Sequence, residues 1–300
     1  MQSTKPFTWI ATGLAFSLLW SSAATATRVG LQSAQPLVIA QVRFAMASFL
    51  LLALAHGIYR KRLPAGREWR QLAIYGLLNI TLYLGVYVIA MQTVSAGIGT
   101  LAVAANPVII GFFSVLFLRK PLTPALVLSM GVCLGGVLVA AWPLLGGAAV
   151  RVTPRGLGLL LGSMLAYSAG AIYFSASNWN GLSLLAINGW QTLFGGLFLL
   201  PFSALLYRPE SNHLGAGFWA AVSWLAFPVS ILAVQLWLWL LRAHPVRAGL
   251  WLFLCPAFGF LLAALVLREP VSGYTLTGMA LVLGGLLIAR REATRGRSPA

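Results

Sequence analysis

NPVIIGFFSVLFLRKPLTPALVLSMGVCLGGVLVA, residues 106–140, returns without a gap 149 positions later as CPAFGFLLAALVLREPVSGYTLTGMALVLGGLLIA, residues 255–289. Eleven of the thirty-five aligned positions are identical, among them Pro107/Pro256, Arg119/Arg268, Pro121/Pro270 and the pairs Gly135-Gly136/Gly284-Gly285. The chain reads as a duplication. Trp20-Ser21 matches Tyr167-Ser168 at a spacing of 147, and Arg43 falls opposite Gln191 at 148, so the register barely drifts. A removable leader would have no such partner, so the apolar run near residue 7 counts as a permanent span.

Hydrophobic residues make up 60% of the 300 and charged ones 8%, with a mean hydropathy of +0.89. A helical crossing needs about 20 apolar residues. Runs of that order follow one another at Phe7–Val29, Pro36–Ile58, Leu72–Met91, Gly97–Leu118, Ala125–Trp142, Gly156–Ser177, Leu182–Leu206, Phe218–Leu241, Ala248–Leu267 and Gly273–Ile288. The fold expected is an all-α polytopic membrane protein of ten transmembrane helices. It divides near Gly146-Gly147 into a first five-helix repeat, 1–146, and a second, 147–300, which ends in a basic tail.

The net charge of +16 is distributed, not clustered. With both chain ends cytoplasmic, fourteen basic residues lie on that side: Lys5, Arg60, Lys61, Arg62, Arg67, Arg70, Arg119, Lys120, Arg242, Arg247, Arg290, Arg291, Arg295 and Arg297. Five lie opposite, Arg28, Arg151, Arg155, Arg208 and Arg268, and Arg43 lies inside a span. This is the positive-inside bias of a bilayer protein and not a nucleic-acid footprint. Five crossings per repeat is odd, so the second repeat starts on the far side and is inverted around a central cavity. Inverted repeats can exchange conformations and so alternate the access of a shared site.

Pro107 and Pro256 fall near the middle of the fourth and ninth runs, where each removes a backbone donor and predicts a hinge or kink. Asn106 is positioned to bond the loosened backbone or a solute. Polar and aromatic groups inside other runs must face the bundle interior, since hydrocarbon cannot satisfy them. The substrate-binding candidates are Trp20, Ser21, Asn79, Tyr83, Tyr87, Asn106, Tyr167, Gln235 and Trp239. The pairs Tyr83/Tyr87 and Gln235/Trp239 share a helix face at i, i+4, which favours them over isolated Trp237. Such rings suit a small organic solute with an apolar body and a polar end. Arg43, about 10 Å into the second run by helical rise, either snorkels outward as a structural charge or serves a gate or a carboxylate.

The chain has no Asp, and Glu68, Glu210, Glu269 and Glu292 all fall in loops or at span ends. That argues against a membrane-embedded carboxylate proton relay. His56, His213 and His244 read as interfacial, and Cys133 and Cys255 as small apolar fillers. No catalytic cluster, metal site or cofactor is implied, which speaks against an enzyme. Gly131-xxx-Gly135, Gly158-xxx-Gly162 and Ala280-xxx-Gly284 predict close helix packing. The oligomeric state is not set by the sequence, and one chain supplies both repeats.

The duplicated Pro-centred helix, the Leu267-Arg268-Glu269-Pro270 turn and the Gly284-Gly285 helix after it resemble the EamA-type drug/metabolite transporter superfamily, over about 280 residues. Within it the chain is similar to the YddG-type aromatic amino acid exporters. The resemblance implies a basket of ten helices in a bacterial inner membrane that exports amino acids, aromatic and other, with spans one, three, four, six, eight and nine lining the cavity. Arg119-Lys120-Pro121 departs from the acidic first-repeat turn of many members. A multidrug, metabolite or cation exporter of the same superfamily is the alternative, since aromatic cages also hold cations.

Overall fold

The computed structural model describes residues 6–94, 99, 102–119, 122–145, 153–267 and 273–295. The expected repeat boundary at Gly146-Gly147, the division near Ser95-Ala96, Lys120-Pro121, Arg268-Glu269-Pro270 and Arg297 lie outside these. Among the described residues the fold is helical, without strands.

Helix α1 spans Pro6–Gly30, and α2, Pro36–Leu52, continues in π-helical turns over Ala53–Ile58. The third rod is α3, Arg67–Gly76, a π-helical stretch Leu77–Gly85, and α4, Val86–Ala90. Then come α5, Asn106–Leu118, α6, Pro124–Leu145, α7, Pro154–Ala176, and α8, Leu184–Leu205. The next rod joins α9, Ala216–Trp224, to α10, Val234–Ala243, through a second π-helical stretch, Leu225–Ala233. After α11, Pro245–Leu250, a 3-10 turn over Trp251–Phe253 leads into α12, Leu254–Leu267, and α13 closes the chain at Gly273–Arg295. Proline opens α2, α5, α7 and α11 within their first two positions, where its missing N–H has no intrahelical partner to lose. Ser183 and Thr153 add side-chain caps, accepting from the backbone N–H of Ala186 and Gly156.

Among the described residues six rods are long and apolar enough to cross a bilayer: Phe7–Gly30, Pro36–Ile58, Arg67–Ala90, Pro154–Ala176, Leu184–Leu205 and Ala216–Ala243. Asn106–Leu118, Pro124–Val139 and Leu276–Ile288 are shorter apolar helices. Large apolar side chains such as Phe49, Phe112, Phe202 and Leu265 stay exposed around the bundle, which fits a lipid surround and not water.

Each of the two prolines falls in the first turn of a helical segment. Residues 104–105 form a turn and α5 starts at Asn106-Pro107, while Pro256 sits in the first turn of α12, just after the 3-10 turn. The first run is broken by that turn, whereas the second stays helical from Pro245 to Leu267 and changes from α to 3-10 and back just before its proline. At this 3-10 turn Ser17 Oγ donates to the Trp251 carbonyl at 2.8 Å, tying α1 to it.

Loop contacts separate the two ends of the bundle. At one end His213 N donates to Ser33 O (2.7 Å), Gln35 Nε2 to Leu206 O (2.9 Å), and Arg28 Nη1 to Met91 O (3.3 Å). At the other, Arg62 forms a bidentate pair with Glu68 (2.6 and 2.7 Å) and donates to Asn180 O (2.9 Å), while Arg242 Nη2 donates to Leu182 O (3.2 Å). Glu68 is buried, capping the entry to α3 by accepting from Ala65 N. Helix α1 ends at the Arg28 face. Helix α7 starts there, with Gly156 against Thr93 and Val94, and ends beside Asn180, so the two helices run in opposite directions.

Two of the three predicted small-residue motifs are one position off, and the third, Gly158-xxx-Gly162, meets no neighbour. Gly131, Gly135, Gly158, Gly162 and Gly284 face open space, whereas Gly136 and Gly285 hold α6 against α13, and Gly76 and Gly195 hold α3 against α8. A one-residue offset is about 100° of helix rotation, enough to turn a motif from a neighbour to the outside.

Candidate functional site

The interior between these rods holds a narrow cavity. Its polar lining is Trp20, Ser21 and Thr27 from α1, Arg43 from α2, Tyr83 from the π-helical turns of the third rod, and Tyr87 from α4. Cys255 and Val229 help close it. The rings pack against each other, Trp20 with Tyr83 at 6.3 Å and Tyr83 with Tyr87 at 6.0 Å between centroids, leaving room for little more than a water.

Arg43 does not reach outward. It is 2% exposed, and its Nε donates to Ser230 Oγ at 2.7 Å. The Ser230 carbonyl accepts from Asn188 Nδ2 (3.0 Å), Asn188 Oδ1 accepts from Gln191 Nε2 (3.1 Å), and Gln191 Oε1 accepts from Asn79 Nδ2 (3.0 Å). A chain of buried polar side chains thus runs from the third rod through α8 to the π-helical turns that carry Ser230, and ends on the guanidinium. The Arg43 side chain also lies beside the Phe44 ring, 5.7 Å from its centroid. Arg43 Nη2 is buried with no hydrogen-bond partner, and among the described residues no carboxylate pairs with Arg43. A guanidinium keeps its charge at any ordinary pH, so this is an uncompensated cation at the cavity wall.

Beneath the cavity the aromatic packing continues. Tyr167 lies 4.6 Å from Tyr83 and 5.9 Å from Trp20, and Trp237 stacks on Tyr167 at 5.6 Å and on Phe16 at 5.0 Å. Tyr167 Oη and Trp237 Nε1 are buried without partners.

Of the residues singled out from the sequence, Trp20, Ser21, Tyr83, Tyr87 and Arg43 meet at this cavity. Tyr167 supports its rings. Asn79 belongs to the polar chain, and Asn106 is fully buried between α5 and α7, donating to Met164 Sδ (3.1 Å) and accepting from Ser168 Oγ (3.0 Å). Gln235 leaves its Oε1 buried and unpartnered outside the lining, and Trp239 packs on Trp9, 6.0 Å away. Trp237, set aside for lack of an i, i+4 partner, occupies the centre of the stack instead. Gln235 and Trp239 do share a face of α10, but spacing within a helix says which residues lie together and not which way their face points. Ser230 and Phe16 escaped notice because serine and phenylalanine in an apolar run carry no pattern of their own.

The EamA-like transporter family's sequence model matches residues 7–142 and again 154–291. The chain belongs to the EamA-like transporter family. It is a multi-pass membrane transporter of the drug/metabolite transporter superfamily. Among its relatives, Protein PecM of Dickeya dadantii is 27% identical over 91% of this chain and 89% of its own length. The uncharacterized inner membrane transporter YedA of Escherichia coli K12 is 28% identical over 94% and 89%, and the uncharacterized transporter YvbV of Bacillus subtilis 26% over 94% and 92%. A crystal structure at 22% identity superposes with a TM-score of 0.77, covering 98% of this chain and 100% of that one, a likeness of fold. The chemistry of the cavity is rings on the walls with one buried cation.

Proposed function

We propose that this EamA transporter is an inner-membrane exporter of amino acids, aromatic ones within a broad set, working by alternating access. The observation that carries the reading is Arg43, a buried guanidinium with an unpartnered nitrogen at the wall of an aromatic cavity. Once the rings part from their present packing, as alternating access requires, a carboxylate would pair with the fork of donors while an apolar side chain lies on Trp20, Tyr83 and Tyr87. Aromatic export in particular rests on the resemblance to YddG-type exporters.

Alternating access requires two inverted five-helix repeats, taken as residues 1–146 and 147–300, with both chain ends cytoplasmic. Three observations support it. The family match occurs twice in the chain. The two π-helical stretches, Leu77–Gly85 and Leu225–Ala233, are nine residues each and start 148 positions apart. Helices α1 and α7, which carry the Trp20-Ser21/Tyr167-Ser168 match, run in opposite directions. Cytoplasmic ends follow from the basic side chains gathered at the Arg62 end of the bundle. With no acidic side chain in the cavity lining, movement is proposed without a membrane carboxylate relay. The rival reading, a cation exporter, is disfavoured by the unneutralised Arg43.

Purified protein in liposomes moving labelled phenylalanine saturably, with competition by unlabelled amino acids, is the expected result. Efflux no faster than from empty liposomes for every amino acid tried overturns the reading.

A further inference from the structure

We infer that the cavity recognises its cargo by an anionic group and not by an amine, so that the substrate class is organic carboxylates with a ring-sized apolar body, amino acids being one subset. The inference rests on the transport reading above and deepens it.

The electrostatics of the lining are one-sided. Its polar members are one arginine and five neutral side chains, and no carboxylate is among them. Arg43 Nε is taken by Ser230, and Nη2 is turned into the protein interior without a partner. A buried cation left unpaired is costly, and it cannot escape by deprotonation. An incoming carboxylate removes that cost by forming charge-assisted bonds to the guanidinium. An incoming ammonium finds no such partner. It meets the ring faces, whose attraction for a cation is weaker than a carboxylate's, and hydroxyls: Ser21, already donating to Leu18 O at 2.9 Å and left with lone pairs to offer, Thr27, and the tyrosines. It also meets repulsion from Arg43 in a medium that screens poorly. For a zwitterion the carboxylate supplies the attraction, while the ammonium must be stripped of water with weak compensation. The same ring with a carboxylate and no amine therefore binds at least as well as the amino acid, and the ring with an amine alone binds poorly.

The test uses three compounds with one ring and one chain length: 3-phenylpropionate, phenylalanine and phenethylamine, each competing against labelled phenylalanine in liposomes containing the full chain. The expected order is phenylpropionate equal to or tighter than phenylalanine, with phenethylamine weaker by about tenfold or more, the range set by losing a hydrogen bond to a charged group. In Arg43→Gln the advantage of the two carboxylates over phenethylamine collapses, and Arg43→Lys restores part of it. The wild-type series needs no variant, so a variant that fails to fold leaves the test intact. Phenethylamine competing as well as phenylalanine overturns the inference while the amino acid reading stands. Phenylpropionate carried when no amino acid is carried supports the inference and overturns that reading. If nothing is carried, phenylpropionate raising the melting temperature of the wild type but not of Arg43→Gln still supports the anion site, and the absence of any such shift overturns it.

Discussion

Gly136 in α6 and Gly285 in α13 make the same contact from opposite sides. A Cβ on Gly136 would meet Gly278 O at 2.7 Å and Val282 N at 2.9 Å, and one on Gly285 would meet Ser129 O at 2.9 Å and Cys133 N at 3.1 Å. Ser129, Cys133 and Gly136 stand 149 positions before Gly278, Val282 and Gly285, so the neighbours of each glycine are the counterparts of the other's neighbours. Reciprocity of this kind is what a local two-fold relation between two helices produces. Ser129 Oγ also donates to Gly285 O at 2.7 Å.

Besides the Cys133 thiol and Leu281 Cβ, the obstacles are backbone atoms that cannot swing aside, so Gly136→Ala and Gly285→Ala should each destabilise the folded protein by about 1–3 kcal/mol. Gly135→Ala and Gly284→Ala, facing open space one residue earlier, should stay within about 0.5 kcal/mol of wild type. Thermal unfolding in detergent separates the two pairs, and equal effects would contradict this packing.

These glycines also mark what a sequence can and cannot tell. The repeat was legible because its identities, Pro107/Pro256 and Gly136/Gly285 among them, stand at places where a helix start or a close approach admits few residues. Which glycine of each pair does the packing was not, since spacing gives a face but not its direction. The aromatic cavity was half legible: Trp20, Tyr83 and Tyr87 announce themselves as polar-tipped rings in apolar helices. The fixing of Arg43 was invisible, because Ser230 lies 187 residues away and a lone serine in a span predicts no partner. The same limit applied in α10, where the face of Trp237, and not that of Gln235 and Trp239, meets the aromatic stack.

Ser230→Ala takes away the hydrogen bond that aims Arg43 without changing the size of the site much. The expected result is a raised KM for the transported acid with a smaller change in maximal rate, corresponding to about 1–3 kcal/mol. Ser230→Thr, which keeps the hydroxyl, should recover most of it. Because both side chains belong to one polar chain, Ser230→Ala combined with Arg43→Gln should cost less than the two separate effects added together. Additive effects would show that Ser230 acts elsewhere.

At the far end of the bundle the Arg62–Glu68 pair reaches Asn180 O, joining the loop before α3 to the loop after α7. The guanidinium fork fits both carboxylate oxygens, so Arg62→Lys should lower the melting temperature nearly as much as Arg62→Ala. Arg62 is 42% exposed, and the wild-type advantage should therefore shrink as salt is added. A melting temperature indifferent to both substitutions would remove this contact from the list of stabilising ones.

The two π-helical stretches lead to the most demanding prediction. Leu77–Gly85 must present Asn79 to Gln191 and Tyr83 to the cavity on one rod, and α4 directly after it must present Tyr87. An ideal helix turns about 100° per residue, so removing one residue between Asn79 and Tyr83 rotates everything after it by that amount unless the π-helical turns relax. Deleting Leu82, which is 41% exposed and packs little, takes out a residue with the least damage to the core. The deletion variant should still insert and run as a folded species in detergent, because a regular helix satisfies its backbone at least as well as π turns do. It should transport more slowly, because relaxed turns keep the two ends of the rod roughly in phase but draw Tyr83 one residue closer to Asn79, so that both cannot keep their present partners. Retained transport at the wild-type rate would show that the π-helical register is not what orients the rings.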